Sequence, residues 1–225
     1  MRVTRLLSAI EQMGDTYRKQ PAYQCLFEVA TEQHGNFTRV QAGACGYRTN
    51  LITYLTQHGK FIRVHRGVYR LRDFPSFPRE EVVAAWLAVG KDVAVVSHES
   101  ALDLHELSDV IPNATHLTVP RSRRNLPKMP GVKIHTTTRA FEPGDVVTRE
   151  GMRVTSVERT IADSAERGTG PEQVEMAVED ALRQGMTTRK FLEQAISSRN
   201  RRVQNLIRGT LEQNRSSEPR MAAHK

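Results

Sequence analysis

Residues 47–71, YRTNLITYLTQHGKFIRVHRGVYRL, change from helical spacing to strand alternation within one continuous stretch. Four hydrophobic residues of the first part recur on one helix face, and Gly59 follows where a glycine C-cap is expected. These residues, which we expect to face inward, are Leu51, Ile52, Tyr54 and Leu55. In the second part, polar and hydrophobic residues alternate around a turn at 65–67, which is typical of a β-hairpin. The stretch therefore predicts a helix over 47–58 followed by a hairpin over 60–71.

Two shorter helices are expected before this stretch. The first follows Pro21 and carries hydrophobic side chains on one face, and the Gly35-Asn36 pair provides the break after it. The hydrophobic side chains are those of Tyr23, Leu26, Phe27 and Ala30. Thr38 can cap the second helix, over 39–44. Helix, short helix, tight turn, helix and hairpin in this order predict a winged helix-turn-helix, whose third helix enters the DNA major groove.

Basic residues are concentrated in the same part of the chain. The net charge is +8, and residues 1–77 hold eleven Lys and Arg against five Asp and Glu. From Gln33 to Arg72 there is no acidic residue, whereas seven Lys and Arg are present. Because a solvated surface normally mixes both signs of charge, this depletion of carboxylates favours a polyanionic partner, here double-stranded DNA.

The candidate DNA-contacting residues lie on the third helix, beside it and on the hairpin wing. Short polar side chains of the helix can form hydrogen bonds with base edges, while the cations can contact phosphates. Strand alternation would place Arg63 and His65 on one face of the wing. The full predicted set is Arg39, Arg48, Thr49, Asn50, Thr53, Gln57, Lys60, Arg63, His65, Arg66 and Arg70.

We expect an α+β protein with two main domains. The winged helix-turn-helix would occupy residues 21–74, and the FPSFP segment marks a linker before a mixed α/β domain over 79–213. That second domain should end in four helical segments. Residues 1–20 contain a short amphipathic helix, and residues 214–225 form a polar tail that we expect to be flexible.

The second domain contains a basic loop between two predicted strands. Its cations are Arg121, Arg123, Arg124 and Lys128. The loop could extend the nucleic-acid footprint, form a docking patch or simply be a solvated surface loop.

Enzymatic chemistry is not indicated. His98 and His105 are seven positions apart, whereas the zinc protease arrangement needs two histidines four apart, so we expect packed or solvated histidines and no metal site. The sequence contains no phosphate-binding loop, nucleophile elbow or kinase signature, and no cofactor is expected.

The two cysteines and the amino-terminal sequence favour a cytoplasmic protein. Cys25 and Cys45 have no CxxC partner, so we interpret both as buried thiols in a reducing compartment. The first residues lack the apolar block and cleavage site of a signal peptide, and no apolar stretch is long enough to span a membrane.

Four segments in order give the chain a family resemblance. They are FIRVHRGVYRL (61–71), SHESALDLHEL (97–107), THLTVP (115–120) and VTSVERTIADSAE (154–166), the last with Ser156, Arg159, Thr160 and Asp163. Together they resemble the AbiEi antitoxins of type IV toxin-antitoxin systems. Arg159 and Asp163, one helical turn apart, could also form an ion pair that orders the domain.

The resemblance implies a winged helix that binds operator DNA and represses its own operon, joined to a domain with antitoxin activity. It also implies a nucleotidyltransferase-like toxin as functional partner, without a required stable complex. Two alternatives stay open. One is a plain transcriptional regulator whose second domain senses a ligand or dimerises, and the other is a nucleic-acid-modifying enzyme.

Overall fold

The computed structural model describes residues 21–217 and confirms a mixed α+β architecture with two sheets. The amphipathic helix expected within residues 1–20 and most of the expected tail lie outside the described residues. The chain divides into two compact units, the first ending at Ala88 and the second beginning at Val89. Each unit has a sheet and a hydrophobic core of its own.

The first unit has the element order of a winged helix. Its elements are α1 (Tyr23–Thr31), β1 (Asn36–Thr38), α2 (Arg39–Ala44), α3 (Thr49–Gln57), β2 (Phe61–His65), β3 (Val68–Leu71) and α4 (Glu80–Val89). The sheet order is β1-β3-β2, and both pairings are antiparallel. Strand β1 was not predicted, because three residues are too few to show alternation and their partner is distant in sequence.

Local hydrogen bonding explains the short helix α2. The Thr38 hydroxyl accepts a hydrogen bond from the Gln41 backbone N–H at 3.1 Å, and the Gln41 carboxamide oxygen accepts one from the Thr38 N–H at 2.8 Å. This reciprocal capping box satisfies two amides that a helix start otherwise leaves without partners. It confirms the predicted helix start at Thr38.

Helix packing in the first unit brings the two cysteines together. Cys25 and Cys45 form a disulfide with a Cα–Cα distance of 5.7 Å, so the expectation of two buried free thiols was wrong. The Ala22 N–H donates to the Cys45 carbonyl at 3.0 Å, which places the start of α1 against the end of α2. This neighbour relation depends on tertiary packing, which a separation of 20 residues in sequence does not reveal.

The core of the first unit is built around aromatic side chains. Phe37 of β1 and Phe61 of β2 are almost fully buried and meet edge to face at 5.0 Å between ring centroids. Three aromatic residues of the predicted hydrophobic helix faces are exposed, among them Tyr54, which we expected to face inward, because the core is filled by Leu26, Ala30 and Ile52. They are Tyr23, Phe27 and Tyr54, with 60%, 38% and 53% of their surface accessible.

The segment after the hairpin remains attached to the first unit. The Arg70 guanidinium donates to the carbonyls of Phe74 and Pro75 at 2.8 and 2.9 Å, and it pairs with Glu80 at 3.1 Å. The rings of His34 and Phe77 also stack at 3.9 Å. These contacts attach the proline-containing segment and the start of α4 to the hairpin of the first unit.

The second unit contains a mixed five-stranded sheet and a helical end. Its elements are β4 (Val95–Val96), α5 (His98–His105), β5 (Thr115–Pro120), β6 (Val132–Thr137), β7 (Val146–Arg149), β8 (Met152–Thr155), α6 (Val157–Arg167), α7 (Pro171–Arg183), α8 (Arg189–Ile196) and α9 (Arg201–Ser217). The strand order is β6-β5-β4-β8-β7. The pairs β5–β6 and β4–β8 are parallel, and the other two pairs are antiparallel.

The four helices α6 to α9 confirm the four helical segments expected at the end of the second domain. Together with α5 they bury one continuous aliphatic cluster, which includes Leu102, Ile161, Val178, Leu192 and Ile207. Within residues 21–217, none of the helices combines the length and the apolar character needed to cross a bilayer.

The expected pair on α6 is present and belongs to a larger ionic network. The Arg159 Nε lies 3.4 Å from the Asp163 carboxylate, and its Nη1 lies 2.6 Å from Asp145. Arg199 approaches the other oxygen of Asp163 at 2.5 Å, and the Arg159 guanidinium lies 4.4 Å from the centre of the Phe141 ring. The network connects α6 with the segment before β7 and with the segment before α9.

Candidate nucleic-acid interface

Helix α3 presents a continuous polar stripe to solvent. Ile52 is buried in the core, and Leu51 and Leu55 pack against it from the same side of the helix. The exposed residues lie on the opposite side of the helix. They are Thr49, Asn50, Thr53, Tyr54 and Gln57. This arrangement gives the stripe the amide and hydroxyl groups that read base edges in a major groove.

The hydroxyl groups of the stripe are partly used by the helix itself. Thr53 Oγ1 donates to the Thr49 carbonyl at 2.9 Å. Its proton is therefore engaged, so Thr53 can accept a hydrogen bond or offer its methyl group to a base. Asn50 carries both a donor and an acceptor, which makes it the best suited residue of the stripe for reading an adenine.

Cations surround the stripe at the ends of neighbouring elements. Arg48 is the residue before α3, Lys60 follows the helix, and both are exposed. The N–H of Arg39 at the start of α2 donates to the Gly67 carbonyl at 2.8 Å. This hydrogen bond joins the start of α2 to the tip of the hairpin, so Arg39 and Arg66 belong to one part of the surface.

A register shift in the hairpin separates two of the predicted wing residues. Arg63 pairs with Tyr69, whereas His65 pairs with Val68, and the pairing is irregular between them. Directly paired residues share a sheet face and consecutive residues face opposite sides, so Arg63 and His65 point to different faces. The expectation that they share one face was wrong, because it assumed regular alternation.

Arg70 is not available to DNA. Only 7% of its surface is accessible, and its guanidinium is engaged by backbone carbonyls and by Glu80. Arg63 and Arg66, in contrast, are exposed. The assignment of Arg70 as a DNA contact is therefore corrected to a structural role, which a pattern of alternating residues could not distinguish.

The remaining predicted contacts lie in a part of the chain that carries no acidic residue. Because residues 33–72 contain no Asp or Glu, no carboxylate of α2, α3 or the hairpin can neutralise these cations. The exposed cations of this region among the predicted contacts are Arg39, Arg48, Lys60, Arg63 and Arg66.

The basic loop of the second unit is also exposed. Arg121–Arg123 form a single 3-10 turn directly after β5, and Arg124 and Lys128 follow it with exposed side chains. Its role as an accessory nucleic-acid contact stays a prediction.

Sequence reasoning did not identify a cluster of three histidines in the second unit. His98, His116 and His135 each bring one ring nitrogen within 4.8 Å of the others. Burial, followed by the neighbouring histidines His135 and His116, lowers the pKa of His98 to about 2, and burial lowers the pKa of His135 to about 4. The pKa of His116 is also lowered by burial. The spacing of these residues gives no local signal, since only the strand order brings them together.

His105, the other histidine considered from the sequence, lies outside this cluster. It is 3% exposed, and its Nε2 lies 2.8 Å from the Thr155 carbonyl oxygen, to which a protonated Nε2 donates. The expectation of a packed histidine is confirmed for this residue.

Comparison with known proteins gives two similarities. Residues 25–72, from α1 to the end of the hairpin, match the family model described as "Transcriptional regulator, AbiEi antitoxin". This match confirms the resemblance over the first unit's winged helix. No curated protein matches the chain.

Among solved structures, the chain is similar to the RV2827C protein from Mycobacterium tuberculosis. The TM-score is 0.60 at 15% sequence identity, and the similarity covers 83% of this chain and 74% of that chain. At this identity the similarity shows a shared fold that extends well beyond the winged helix.

Proposed function

We propose, starting from the match of residues 25–72 to the AbiEi antitoxin regulators, that this chain is a DNA-binding autorepressor and antitoxin. It would act in the cytoplasm within a type IV toxin-antitoxin system, against a nucleotidyltransferase-like toxin. The observation that carries the proposal is the polar stripe of α3, surrounded by exposed cations with no carboxylate between residues 33 and 72.

The arrangement supports a division of roles between helix and wing. Arg63 and Arg66 would contact phosphates, which position a protein on any duplex. Thr49 and Asn50 lie in the first turn of α3, where recognition helices contact base edges. The two classes of residue should therefore affect binding in different ways.

Titration of labelled duplexes from the chain's own promoter region would test DNA binding. We expect Arg63→Ala and Arg66→Ala to weaken binding to promoter and unrelated duplexes alike, and Asn50→Ala and Thr49→Ala to weaken mainly the preferred duplex. Arg183→Ala is the matched control, since it removes the same charge from an exposed side chain of the second unit. Equal losses on every duplex for all four interface variants would contradict base reading by α3.

Antitoxin activity requires a separate experiment. We expect co-expression of the chain to restore growth of cells that produce the nucleotidyltransferase-like protein encoded beside it. Arg66→Ala should still restore growth while repressing the promoter more weakly, because neutralisation is assigned to the second unit. Repression without restored growth would contradict the antitoxin assignment and leave a plain winged-helix regulator.

A further inference from the structure

The topology of the second unit brings three histidines to one location. His98 is the first residue of α5, His116 lies on β5 and His135 lies on β6. Strands β5 and β6 are parallel, and His135 pairs with Thr118, two residues beyond His116. Residues two apart on a strand share a face, so His116, Thr118 and His135 lie on the same side of the sheet.

The start of α5 covers that side of the sheet. The Thr118 hydroxyl donates to the Ser97 hydroxyl at 2.8 Å, and the Ser97 hydroxyl lies 2.9 Å from the His98 Nδ1. The His98 ring stacks on the His135 ring with centroids 3.7 Å apart. Two strands and one helix therefore each contribute one imidazole to a single cluster, in which His98 and His116 are buried and His135 is half-buried.

Distances within the cluster match those between the ligands of a metal ion. The His116 Nδ1 and the His135 Nε2 are 3.3 Å apart, and one nitrogen of each of the three rings lies within 4.8 Å of the others. Zinc–nitrogen bonds of about 2.0 to 2.1 Å in a tetrahedron place two ligand nitrogens about 3.3 to 3.4 Å apart. One pair already has this separation, and binding of an ion requires the His98 ring to rotate out of its stack on His135 so that its nitrogen enters the tetrahedron.

The second nitrogen of two rings has the support typical of metal-ligating histidines. The Glu99 carboxylate lies 3.8 Å from the His116 Nε2, and Glu99 also accepts a hydrogen bond from the Thr169 hydroxyl at 3.2 Å. The Ser97 hydroxyl lies beside the Nδ1 of His98, as the Glu99 carboxylate lies beside the Nε2 of His116. A hydrogen bond from such a nitrogen to a carboxylate or hydroxyl holds an imidazole in the tautomer that offers its other nitrogen to a metal. Glu99 would have to approach His116 by about 1 Å to make this bond.

Two further observations bear on the cluster. The buried His116 Nε2 has no hydrogen-bond partner among the residues that the structure describes, so it is available to donate to Glu99 when the Nδ1 binds an ion. His98 has a φ of +54°, in the left-handed region that is uncommon for residues other than glycine, although Asn, Asp and His adopt it more often than other residues do. Such backbone conformations persist where the surroundings hold a side chain in a required position.

The donor atoms of the cluster set its preference among metal ions. They are imidazole nitrogens, one from each of the three histidines. Lys133, Arg167 and Arg199 contribute positive potential, and Glu99 contributes negative potential. A set of nitrogen donors without thiolate or several carboxylates suits Zn²⁺ and neighbouring divalent transition metals, not Mg²⁺ or Ca²⁺.

We propose that His98, His116 and His135 form a three-histidine binding site for Zn²⁺, with Glu99 as the positioning residue for His116. The fourth position of the tetrahedron is left to water or an anion. The ion would connect α5 with β5 and β6, and would stabilise the second unit by an amount that rises with the logarithm of the free metal concentration. The site is independent of the proposed DNA interface, which belongs to the first unit.

Metal binding to the untagged full-length chain, stripped with a chelator, would test the proposal. We expect one Co²⁺ per chain with the intense visible absorption of a tetrahedral complex, and we expect Zn²⁺ to displace it. X-ray absorption of the zinc form should show three imidazole nitrogens at about 2.0 to 2.1 Å. A wild-type chain that binds neither metal stoichiometrically would overturn the proposal, whatever the variants do.

Variants would assign the ligands. His116→Gln and His135→Gln should lose stoichiometric binding, and Glu99→Gln should weaken it about 10- to 100-fold. His105→Gln is the matched control, because His105 is also buried on α5 but lies outside the cluster. Circular dichroism would establish that each variant is folded. Wild-type affinity in folded His116→Gln and His135→Gln proteins would contradict the assignment.

Discussion

At the scale of single residues, burial decides what an arginine of the wing does. Arg63 and Arg70 lie on paired strands of the same hairpin, yet Arg63 is exposed and Arg70 is enclosed by carbonyl oxygens and Glu80. A buried guanidinium that satisfies carbonyls is a structural element, whereas an exposed one is free to meet phosphate.

Replacing each of these arginines separates the two roles. Arg70→Ala should lower the free energy of unfolding by about 2 to 4 kcal/mol, because it leaves buried carbonyls without their donor. Arg63→Ala should change it by less than about 0.5 kcal/mol and weaken DNA binding instead. Urea denaturation and DNA titration of both variants would measure this. Equal stability of the two variants would contradict the structural role of Arg70.

His105 should make stability depend on pH. Burial lowers its pKa, the hydrogen bond to the Thr155 carbonyl offsets only part of this effect, and Arg149 and Glu158 act more weakly in opposite directions. The unfolded chain therefore binds the proton more readily than the folded chain. Stability from this group is complete above about pH 6.5 and is lost as the pH falls below that value, by up to about 1.4 kcal/mol per unit.

Denaturation of wild-type and His105→Gln proteins at several pH values, in the presence of EDTA, would test this dependence. The other histidines contribute equally to both proteins, so the difference between the two isolates His105. We expect the variant to lose less stability between pH 6.5 and 5.5. Identical slopes would show that His105 does not titrate differently in the folded chain.

At the scale of elements, the disulfide joins helices that a short loop and strand separate. Cys25 lies near the start of α1, and Cys45 is the C-cap residue of α2. A covalent link across this loop reduces the entropy of the unfolded chain, while helix packing holds the two ends together in the folded chain. The cross-link therefore supports the helices on which α3 packs.

Reduction of this disulfide should destabilise the first unit. For a loop of this length we expect a loss of about 3 kcal/mol. The single tryptophan, Trp86, is buried in α4 and reports unfolding of that unit. Its fluorescence should show a lower denaturation midpoint with reductant. A Cys25→Ala, Cys45→Ala double variant serves as control, and its midpoint should not respond; an unchanged wild-type midpoint would contradict the expected contribution.

At the scale of the whole molecule, the distribution of charge matters more than its total. The net charge is +8, yet residues 78–225 nearly balance, with 22 Lys and Arg against 20 Asp and Glu. The first unit therefore supplies most of the attraction to a polyanion. Exposed cations release counterions from DNA when they contact phosphates, which makes binding depend on salt concentration.

The salt dependence of DNA binding should reflect the exposed cations of the first unit. If Arg39, Arg48, Lys60, Arg63 and Arg66 all contact phosphates, the slope of log affinity against log salt is about −4 to −5. Arg66→Ala should reduce its magnitude by about 1, whereas Arg183→Ala should leave it unchanged. Fluorescence anisotropy at several salt concentrations measures the slope, and a slope near zero would contradict phosphate binding by this surface.

Features that depend on neighbours in sequence were predictable. Hydrophobic spacing, capping residues and glycine or proline breaks located α2, α3, the hairpin and the four final helices, because these signals act within one or two turns of chain. The ion pair between Arg159 and Asp163 was predictable for the same reason, since both residues lie on one helix. The nine predicted DNA contacts of the first unit that are exposed could likewise be proposed from their residue type and from the helix or strand that carries them.

Features that depend on contacts between distant segments were decided by the tertiary structure. The pairing of Cys25 with Cys45, the burial of Arg70 and the convergence of His98, His116 and His135 each need elements whose arrangement the local pattern does not specify. The register shift beside Arg63 is of the same kind, because the partner strand determines it. Local sequence determines which elements form, whereas burial and long-range packing determine which of their side chains remain available for chemistry.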